Sequence, residues 1–133
     1  MSGPRLARLD HLVLTVRDMA RTVAFYRDVL GMAPQVFVAA DGTERHALTY
    51  GAQKINLHLH GAEFEPKAAE PVPGSADLCF LSETPLAEWM AHLAGLGVAV
   101  EAGPVARTGA RGPLVSIYLR DPDGNLIEVS NSV

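Results

Sequence analysis

Apolar and polar residues alternate along several short segments of this chain, and in two other segments apolar residues recur at helical spacing. In the first half, alternation predicts strands at residues 9–16, 35–40, 45–50 and 54–60. After the first strand, the pattern predicts a helix with Asp18 as its N-cap and Gly31 just beyond its end. The apolar face of this helix carries Met19, Val23, Tyr26 and Leu30. The first half is therefore predicted to be β-α-β-β-β.

A stretch rich in proline and glycine, residues 61–75, interrupts this pattern and is predicted to be a connector. Beyond it the same order returns, with strands predicted at residues 76–81, 98–101, 114–120 and 125–131. A second helix is predicted to start at Thr84-Pro85, because proline is favoured in the first turn. The last two strands are joined by the turn sequence Asp121-Pro122-Asp123-Gly124.

The order of elements thus repeats along the chain. An offset of 66 residues places Asp77 on His11 and Gly97 on Gly31 without a gap. We therefore predict an α+β fold in which two tandem β-α-β-β-β modules form a curved mixed-sheet cup. The predicted single domain covers residues 6–132, with module one at 6–60, the connector at 61–75 and module two at 76–132.

Composition narrows the class of protein. The chain has 133 residues, of which 48% are hydrophobic and 20% charged, as is typical of a folded domain. Its net charge is −4 and no basic cluster stands out, which argues against nucleic acid and anionic membranes as partners. The single Cys79 excludes an internal disulfide. Since no apolar run reaches the roughly 20 residues of a membrane span and the first residues do not resemble a signal peptide, a cytoplasmic protein is expected.

Three residues that bind metals well are predicted to lie on the open faces of the two sheets. Along the first strand Leu12 and Leu14 point toward the helix, so His11 points the other way. The same rule places Asp77 and Glu128 on the open face of the second module. Buried carboxylates need a counter-charge, and one imidazole with two carboxylates suits Mn, Fe, Ni, Co or Zn. Three protein ligands leave room for water or substrate, as in catalytic sites.

Other candidates accompany this set. Asn56 and His58 share one face of the fourth predicted strand, where His58 is a candidate general base and Asn56 a candidate substrate contact. Arg107 and Arg111 lie in a predicted loop at 104–113 that leans over the mouth of the cup and attracts an anionic substrate. Each has an ordinary alternative: a strand-end histidine for His58 and solvated loop charges for the arginines.

Three segments resemble the vicinal oxygen chelate superfamily, which includes glyoxalase I, fosfomycin-resistance proteins, extradiol dioxygenases and bleomycin-binding proteins. They are Leu-Asp-His-Leu-Val-Leu-Thr-Val at 9–16, Phe-Tyr-Arg-Asp-Val-Leu-Gly-Met at 25–32, and the run from Ser116 to Val129 that contains Asp-Pro-Asp-Gly-Asn. Residues 54–58 and 74–80 are further similar to a subgroup with bacterial virulence-protein homologues and glyoxalase domain-containing protein 5. The resemblance spans about residues 6 to 131.

The resemblance also implies roles for individual residues. It assigns the first-strand metal histidine to His11 and the last-strand glutamate to Glu128, with Asp77 standing where most metal-binding relatives carry histidine. Asn56 stands where glyoxalase I has a carboxylate or related ligand. Tyr118 resembles a tyrosine that donates to bound substrate, and Ser116 shares its face. Relatives often build each cup from two subunits, so a homodimer with sites shared between chains is expected.

The expected function is a metal-dependent, glyoxalase-like lyase or isomerase. Its small substrate chelates one divalent cation through adjacent oxygens, and the metal stabilises an enediolate or oxyanion. The first alternative is a metal-free protein that binds a small molecule in the same cup, as bleomycin-binding proteins do. The second alternative is a dioxygenase, which is disfavoured because only one of the two histidines of the extradiol enzymes is matched, by His11.

Overall fold

The computed structural model describes residues 3–133, which form two helices and two four-stranded sheets. Module one contains β1 (His11–Val16), α1 (Met19–Asp28), β2 (Ala33–Val38), β3 (Glu44–Tyr50) and β4 (Gln53–Leu59). Module two contains β5 (Asp77–Leu81), α2 (Leu86–Gly95), β6 (Ala102–Gly109), β7 (Gly112–Arg120) and β8 (Leu126–Ser132). The predicted fold of two β-α-β-β-β modules is confirmed.

The two sheets have the same topology. Their strand orders are β1-β4-β3-β2 and β5-β8-β7-β6. In each, the first strand runs parallel to the last strand of its module, and the remaining pairs are antiparallel. Leu12 lies opposite Ile55 in the first sheet, and Leu78 opposite Ile127 in the second. The registers therefore match at the 66-residue offset between the first strands.

Local capping explains where α1 begins and ends. The Asp18 side chain accepts a 2.9 Å hydrogen bond from the Arg21 backbone N–H, as the N-cap prediction requires. Beyond the helix, Gly31 has a φ of +74°, and the backbone N–H of Met32 donates to the Tyr26 carbonyl. This is the left-handed stop that glycine allows. α1 therefore ends two residues earlier than the apolar pattern reaches.

The strand predicted at residues 98–101 is wrong. The strand of this module is β6, Ala102–Gly109, where Gly103 and Pro104 lower the intrinsic strand propensity. The segment nevertheless forms a strand by pairing with β7. Proline is tolerated there because β6 lies at the edge of the sheet. The predicted loop at 104–113 is consequently a hairpin: Arg107 lies within β6, and Arg111 lies in the turn before β7.

One hydrophobic core joins the two modules. It contains the inner faces of both sheets and residues of both helices: Leu14, Val16, Tyr26, Val29, Met32, Leu48, Ile55, Leu57, Leu86, Leu93, Ile117, Leu119, Ile127 and Val129. Because side chains alternate along a strand, the opposite face of each sheet points away from this core. We call these outward surfaces face one, on the first sheet, and face two, on the second. Among the helices of residues 3–133, neither is long and apolar enough to cross a membrane.

Candidate functional site

Strand register defines the two faces. On face one, His11, Val13 and Thr15 of β1 lie opposite Lys54, Asn56 and His58 of β4. On face two, Asp77, Cys79 and Leu81 of β5 lie opposite Leu126, Glu128 and Ser130 of β8. Asn56 and Glu128 occupy equivalent positions, since each lies opposite the third residue of its module's first strand. The matched registers thus present two related rows of side chains.

His11 lies at the start of β1 and is held by its sequence neighbour. Its Nδ1 atom lies 2.8 Å from Oδ2 of Asp10, and the His11 side chain is 43% exposed. This hydrogen bond is the largest cause of the lowered pKa of Asp10. Histidines that bind metals commonly bond a carboxylate through one ring nitrogen and the metal through the other. The Asp10 contact therefore engages Nδ1 of His11 and leaves Nε2 as the ring nitrogen available to a further partner.

The side chain of Asn56 carries a hydrogen-bond acceptor that no donor among the described residues satisfies. Its side-chain Oδ1 is buried and has no hydrogen-bond partner within residues 3–133. A buried acceptor left unpaired costs about 1–3 kcal/mol. Val13 lies opposite it on β1, and Ala47 of β3 lies on its other side, so neither neighbouring side chain supplies a donor. A polar group of a ligand on face one would satisfy this oxygen.

His58 is the most buried ionisable group of face one, with 9% of its surface exposed. Its ring contacts Phe64 of the connector edge to face, with centroids 5.6 Å apart. Burial lowers the pKa of His58, and the nearby Arg45 lowers it further, while Glu63 acts in the opposite direction. The imidazole is therefore neutral near pH 7 and carries one donor and one acceptor.

The two carboxylates of face two lie on neighbouring strands. Asp77 is the first residue of β5, and Glu128 lies opposite Cys79. The Ser130 hydroxyl lies 3.4 Å from Oε2 of Glu128, and the Ser116 hydroxyl lies 2.6 Å from that of Ser130. Ser116 was predicted to contact substrate. In the single chain both Ser116 and Ser130 are fully buried, so Ser116 is linked to Glu128 through the Ser130 hydroxyl.

Cys79 adds a thiol beside this network. Its Sγ lies 3.3 Å from the Ser130 hydroxyl. Burial raises the pKa of the Cys79 thiol, and the negative charges of Glu128 and Asp77 raise it further. The thiol is thus protonated near neutral pH and makes a poor nucleophile or metal ligand.

Tyr118 and the two arginines complete face two. Tyr118 of β7 lies opposite Glu128, and the Arg107 Nε atom donates a 2.8 Å hydrogen bond to the Tyr118 hydroxyl. Arg111 lines a cavity of about 460 Å³ together with Glu128 and Leu81. The Arg107–Tyr118 contact was missed by the sequence, since it depends on Arg107 lying in a strand beside β7.

A single chain does not bring the three predicted metal ligands together. His11 lies on face one, whereas Asp77 and Glu128 lie on face two, and the shared core separates the two faces. Within residues 3–133 no three histidine, cysteine, aspartate or glutamate side chains are grouped to hold a metal ion. Asp10, which contacts His11, and Phe64, which contacts His58, were not predicted from the sequence. The adjacent Asp10-His11 pair was a usable indication of the first.

Comparison with protein-family models gives one match. Residues 8–129 match the Glyoxalase/Bleomycin resistance protein/Dioxygenase superfamily. The chain is also 53% identical over 126 residues to virulence protein STM3117 of Salmonella typhimurium, covering 95% of this chain and 85% of that protein. It is 54% identical over 123 residues to glyoxalase domain-containing protein RDO1 of Mycosarcoma maydis, covering 92% of this chain and 67% of that protein.

Solved structures share the fold. The crystal structure of STM3117 superposes with a TM-score of 0.90, 51% identity, and coverage of 98% of this chain and 100% of that one. Lactoylglutathione lyase from Agrobacterium tumefaciens superposes with a TM-score of 0.70 at 25% identity, with coverage of 96% of this chain and 95% of that one. TnmS3, an antibiotic-binding protein from a Streptomyces species, superposes with a TM-score of 0.74 at 19% sequence identity, with coverage of 98% of this chain and 100% of that one. The fold is also shared by a glutamate-to-glutamine variant of the fosfomycin resistance protein FosX from Listeria monocytogenes, complexed with Mn(II). Its TM-score is 0.65 at 19% identity, with coverage of 97% of this chain and 93% of that one.

Proposed function

This chain belongs to the Glyoxalase/Bleomycin resistance protein/Dioxygenase superfamily, and from that premise we propose that it is a metal-dependent, glyoxalase-like lyase or isomerase. Its substrate is a small molecule that chelates a divalent cation through two adjacent oxygens. The observation that carries the proposal is the Asp10–His11 hydrogen bond of 2.8 Å, which orients the imidazole as a metal ligand. The similarity to a lactoylglutathione lyase supports the reaction class.

The donor set suits a divalent metal. His11 offers a ring nitrogen, and Asp77 and Glu128 offer carboxylate oxygens whose two charges balance a divalent ion. Mixed nitrogen and oxygen ligands fit Mn, Fe, Co, Ni or Zn. The Mn(II) complex of FosX supports this class of ion. A bound ion would supply Lewis-acid polarisation of two adjacent substrate oxygens.

The site requires two chains. Since His11 and the two carboxylates lie on faces that point away from one core, face one of one subunit must meet face two of its partner. We propose a homodimer with two such cups. Exposed apolar side chains on both faces support this association, with Val13 46% and Leu81 63% exposed.

The remaining residues bind substrate and move a proton. His58, neutral near pH 7, accepts a proton from the substrate carbon and returns it to the neighbouring position. Tyr118 donates to a substrate oxygen, with Arg107 fixing its hydroxyl. Asn56 accepts from a substrate hydroxyl through its unpaired Oδ1. Arg111, beside Glu128, favours substrates that carry a negative charge at the mouth.

A second candidate function is a metal-free binding protein. It is favoured by Asn56, an amide at the position equivalent to Glu128, which weakens the donor set on face one. The similarity in fold to an antibiotic-binding protein is consistent with this alternative. A dioxygenase is less favoured, because face one offers His11 as a metal ligand without a second histidine beside it among the described residues.

Metal analysis separates the two candidates. Protein purified without chelator is examined by elemental analysis, and metal binding to chelator-treated protein is measured by isothermal titration calorimetry. The enzyme proposal expects about one divalent ion per chain, lost in His11→Ala and in Glu128→Gln. His46→Ala is the matched control, since His46 lies opposite Val36 on the other side of the first sheet. Absence of binding by Mn, Fe, Co, Ni and Zn would favour the metal-free protein. Turnover of a hemithioacetal and epoxide panel then tests catalysis.

A further inference from the structure

The connector forms one wall of a half-open cavity beside face one, within a single chain. This cavity measures about 470 Å³, a volume within the range of small-molecule sites. Thr15 and His58 form its sheet side, at the carboxyl ends of β1 and β4. Pro66, Pro71 and Val72 of the connector form the opposite wall. Because all these residues belong to one chain, the cavity exists before any partner subunit is added.

The connector is fixed over the sheet by one aromatic side chain. Phe64 lies between His58, which contacts it edge to face, and the Arg45 guanidinium, which stacks 3.6 Å above the ring centroid. Arg45 is itself held by hydrogen bonds to Thr43 and Asp41 of 3.0 and 3.1 Å. The wall of the cavity is therefore built by specific contacts.

The cavity presents polar groups that have no protein partner. His58 is nine-tenths buried, and neither of its ring nitrogens has a hydrogen-bond partner within residues 3–133. The Thr15 hydroxyl lies directly across the strand pair from it and is likewise unpaired there. A neutral imidazole and a hydroxyl each donate and accept one hydrogen bond, which is also the pattern of a ligand hydroxyl group.

The charges nearby do not favour an anion in this cavity. Arg45 is engaged by Asp41 and by the Phe64 ring, and Lys67 on the cavity wall is ion-paired with Glu65. Glu70 adds a negative charge to the lining. An anionic group would therefore find little uncompensated positive charge, whereas an uncharged group incurs less desolvation.

From these contacts we infer that the cavity is a substrate side pocket that takes an uncharged, hydroxyl-bearing group, positioned by Thr15 and His58. The inference rests on the proposed function only in treating face one as the substrate side. The pocket is continuous with that face, because its lining includes Val13, which lies opposite Asn56. Two residues along a strand span about 6.8 Å, so a chain of five or six atoms reaches from His58 to Asn56. The substrate class is accordingly a small polyol.

Binding of defined probes to chelator-treated protein tests this inference without metal or turnover. Saturation-transfer NMR is recorded with glycerol, erythritol and methyl glucoside, and with the anions lactate, glycerol phosphate and methylphosphonate. We expect transfer to the neutral probes, reduced about fivefold or more by Thr15→Val and by His58→Phe. Thr84→Val and His60→Phe are matched controls outside the cavity lining. Circular dichroism of each variant confirms that it is folded.

Three results would overturn the inference. They are absence of transfer to every polyol, stronger transfer to the anions, and polyol binding that neither Thr15→Val nor His58→Phe reduces. Metal binding by the same preparation is measured separately by calorimetry. Polyol binding without metal binding would leave the side pocket in place and reject the proposed metal enzyme; the reverse result would reject the pocket alone.

Discussion

The hydroxyl of Tyr26 in α1 donates a 2.7 Å hydrogen bond to Oδ2 of Asp121, which lies between β7 and β8 of the other module. Both residues are buried. The other oxygen of Asp121 accepts from the backbone N–H groups of Asp123 and Asn125, each at 2.9 Å. Burial and the nearby carboxylate raise the pKa of Tyr26, so the phenol remains a donor. One carboxylate thus joins the helix of module one to a turn of module two.

Tyr26→Phe is expected to lower the free energy of unfolding by about 1–3 kcal/mol, because it leaves a buried carboxylate oxygen with one donor fewer. Urea denaturation measures the change. Tyr50→Phe is the matched control, since the Tyr50 ring packs against Phe80 and its hydroxyl has no hydrogen-bond partner within residues 3–133. Equal effects of the two substitutions would contradict a special role for the Tyr26–Asp121 contact.

Gly103 in β6 is expected to tolerate no side chain. Its φ is +100°, and a Cβ atom there would overlap the Ser116 carbonyl oxygen, a backbone atom that cannot easily move away. Gly103→Ala should therefore destabilise the protein by more than about 1 kcal/mol, measured by thermal or urea unfolding. Gly95→Ala in α2 is the control. A Cβ atom at position 95 meets no atom within 4 Å, so this substitution should raise the free energy of unfolding by about 0.4–1 kcal/mol.

If His11 is a metal ligand as proposed, Asp10→Asn should weaken metal binding by about 10–100-fold, since the Asp10 carboxylate holds the His11 ring through Nδ1. Calorimetric titration of chelator-treated protein gives the Kd. Asp28→Asn is the control, because Asp28 is an exposed partner of Arg27 at the end of α1. An unchanged Kd in Asp10→Asn would show that the hydrogen bond does not orient the ligand.

Mixing variants tests whether the site is shared between chains. His11→Ala and Glu128→Gln subunits each lack a proposed ligand on a different face, so a mixed form of the proposed dimer regains one site with both native faces. After subunit exchange in equal amounts, roughly a quarter of the native metal content per chain should return, because half of the dimers are mixed and one of their two sites is intact. No recovery despite demonstrated exchange would contradict a site built from two subunits.

His58 predicts a pH dependence of stability. Its pKa in the folded chain is lowered by burial and by Arg45, against the opposing effect of Glu63. Above about pH 6.5, the ordinary pKa of histidine, this group is neutral in both states and stability is fully present. As the pH falls below that value, the unfolded chain binds the proton more readily, and stability declines. His58→Phe should show a smaller loss between about pH 7.5 and 5.5 than the native chain in urea denaturation; an equal loss would contradict the prediction.

The sequence predicts most of the fold because alternation and capping are local properties. Asp18, Gly31, the apolar face of α1 and the start of α2 are identifiable from the amino-acid sequence alone. Strand β6 is not predicted from the sequence, because Gly103 and Pro104 lower its intrinsic strand propensity. It forms because it pairs with β7. Pattern likewise places His11 and Glu128 on outward faces. Their separation by a shared core depends on how the modules pack, a relationship that no local pattern records.

The equal strand registers of the two modules have a consequence for how this scaffold diversifies. Positions 56 and 128 are geometrically interchangeable, yet one carries an amide and the other an acid. A single change, Asn56→Glu, would give both halves the same acidic group and raise the attraction for cations. The charge that each half of the scaffold offers to a cation is therefore set by one side chain on its last strand, while the register of the surrounding strands is the same in both halves.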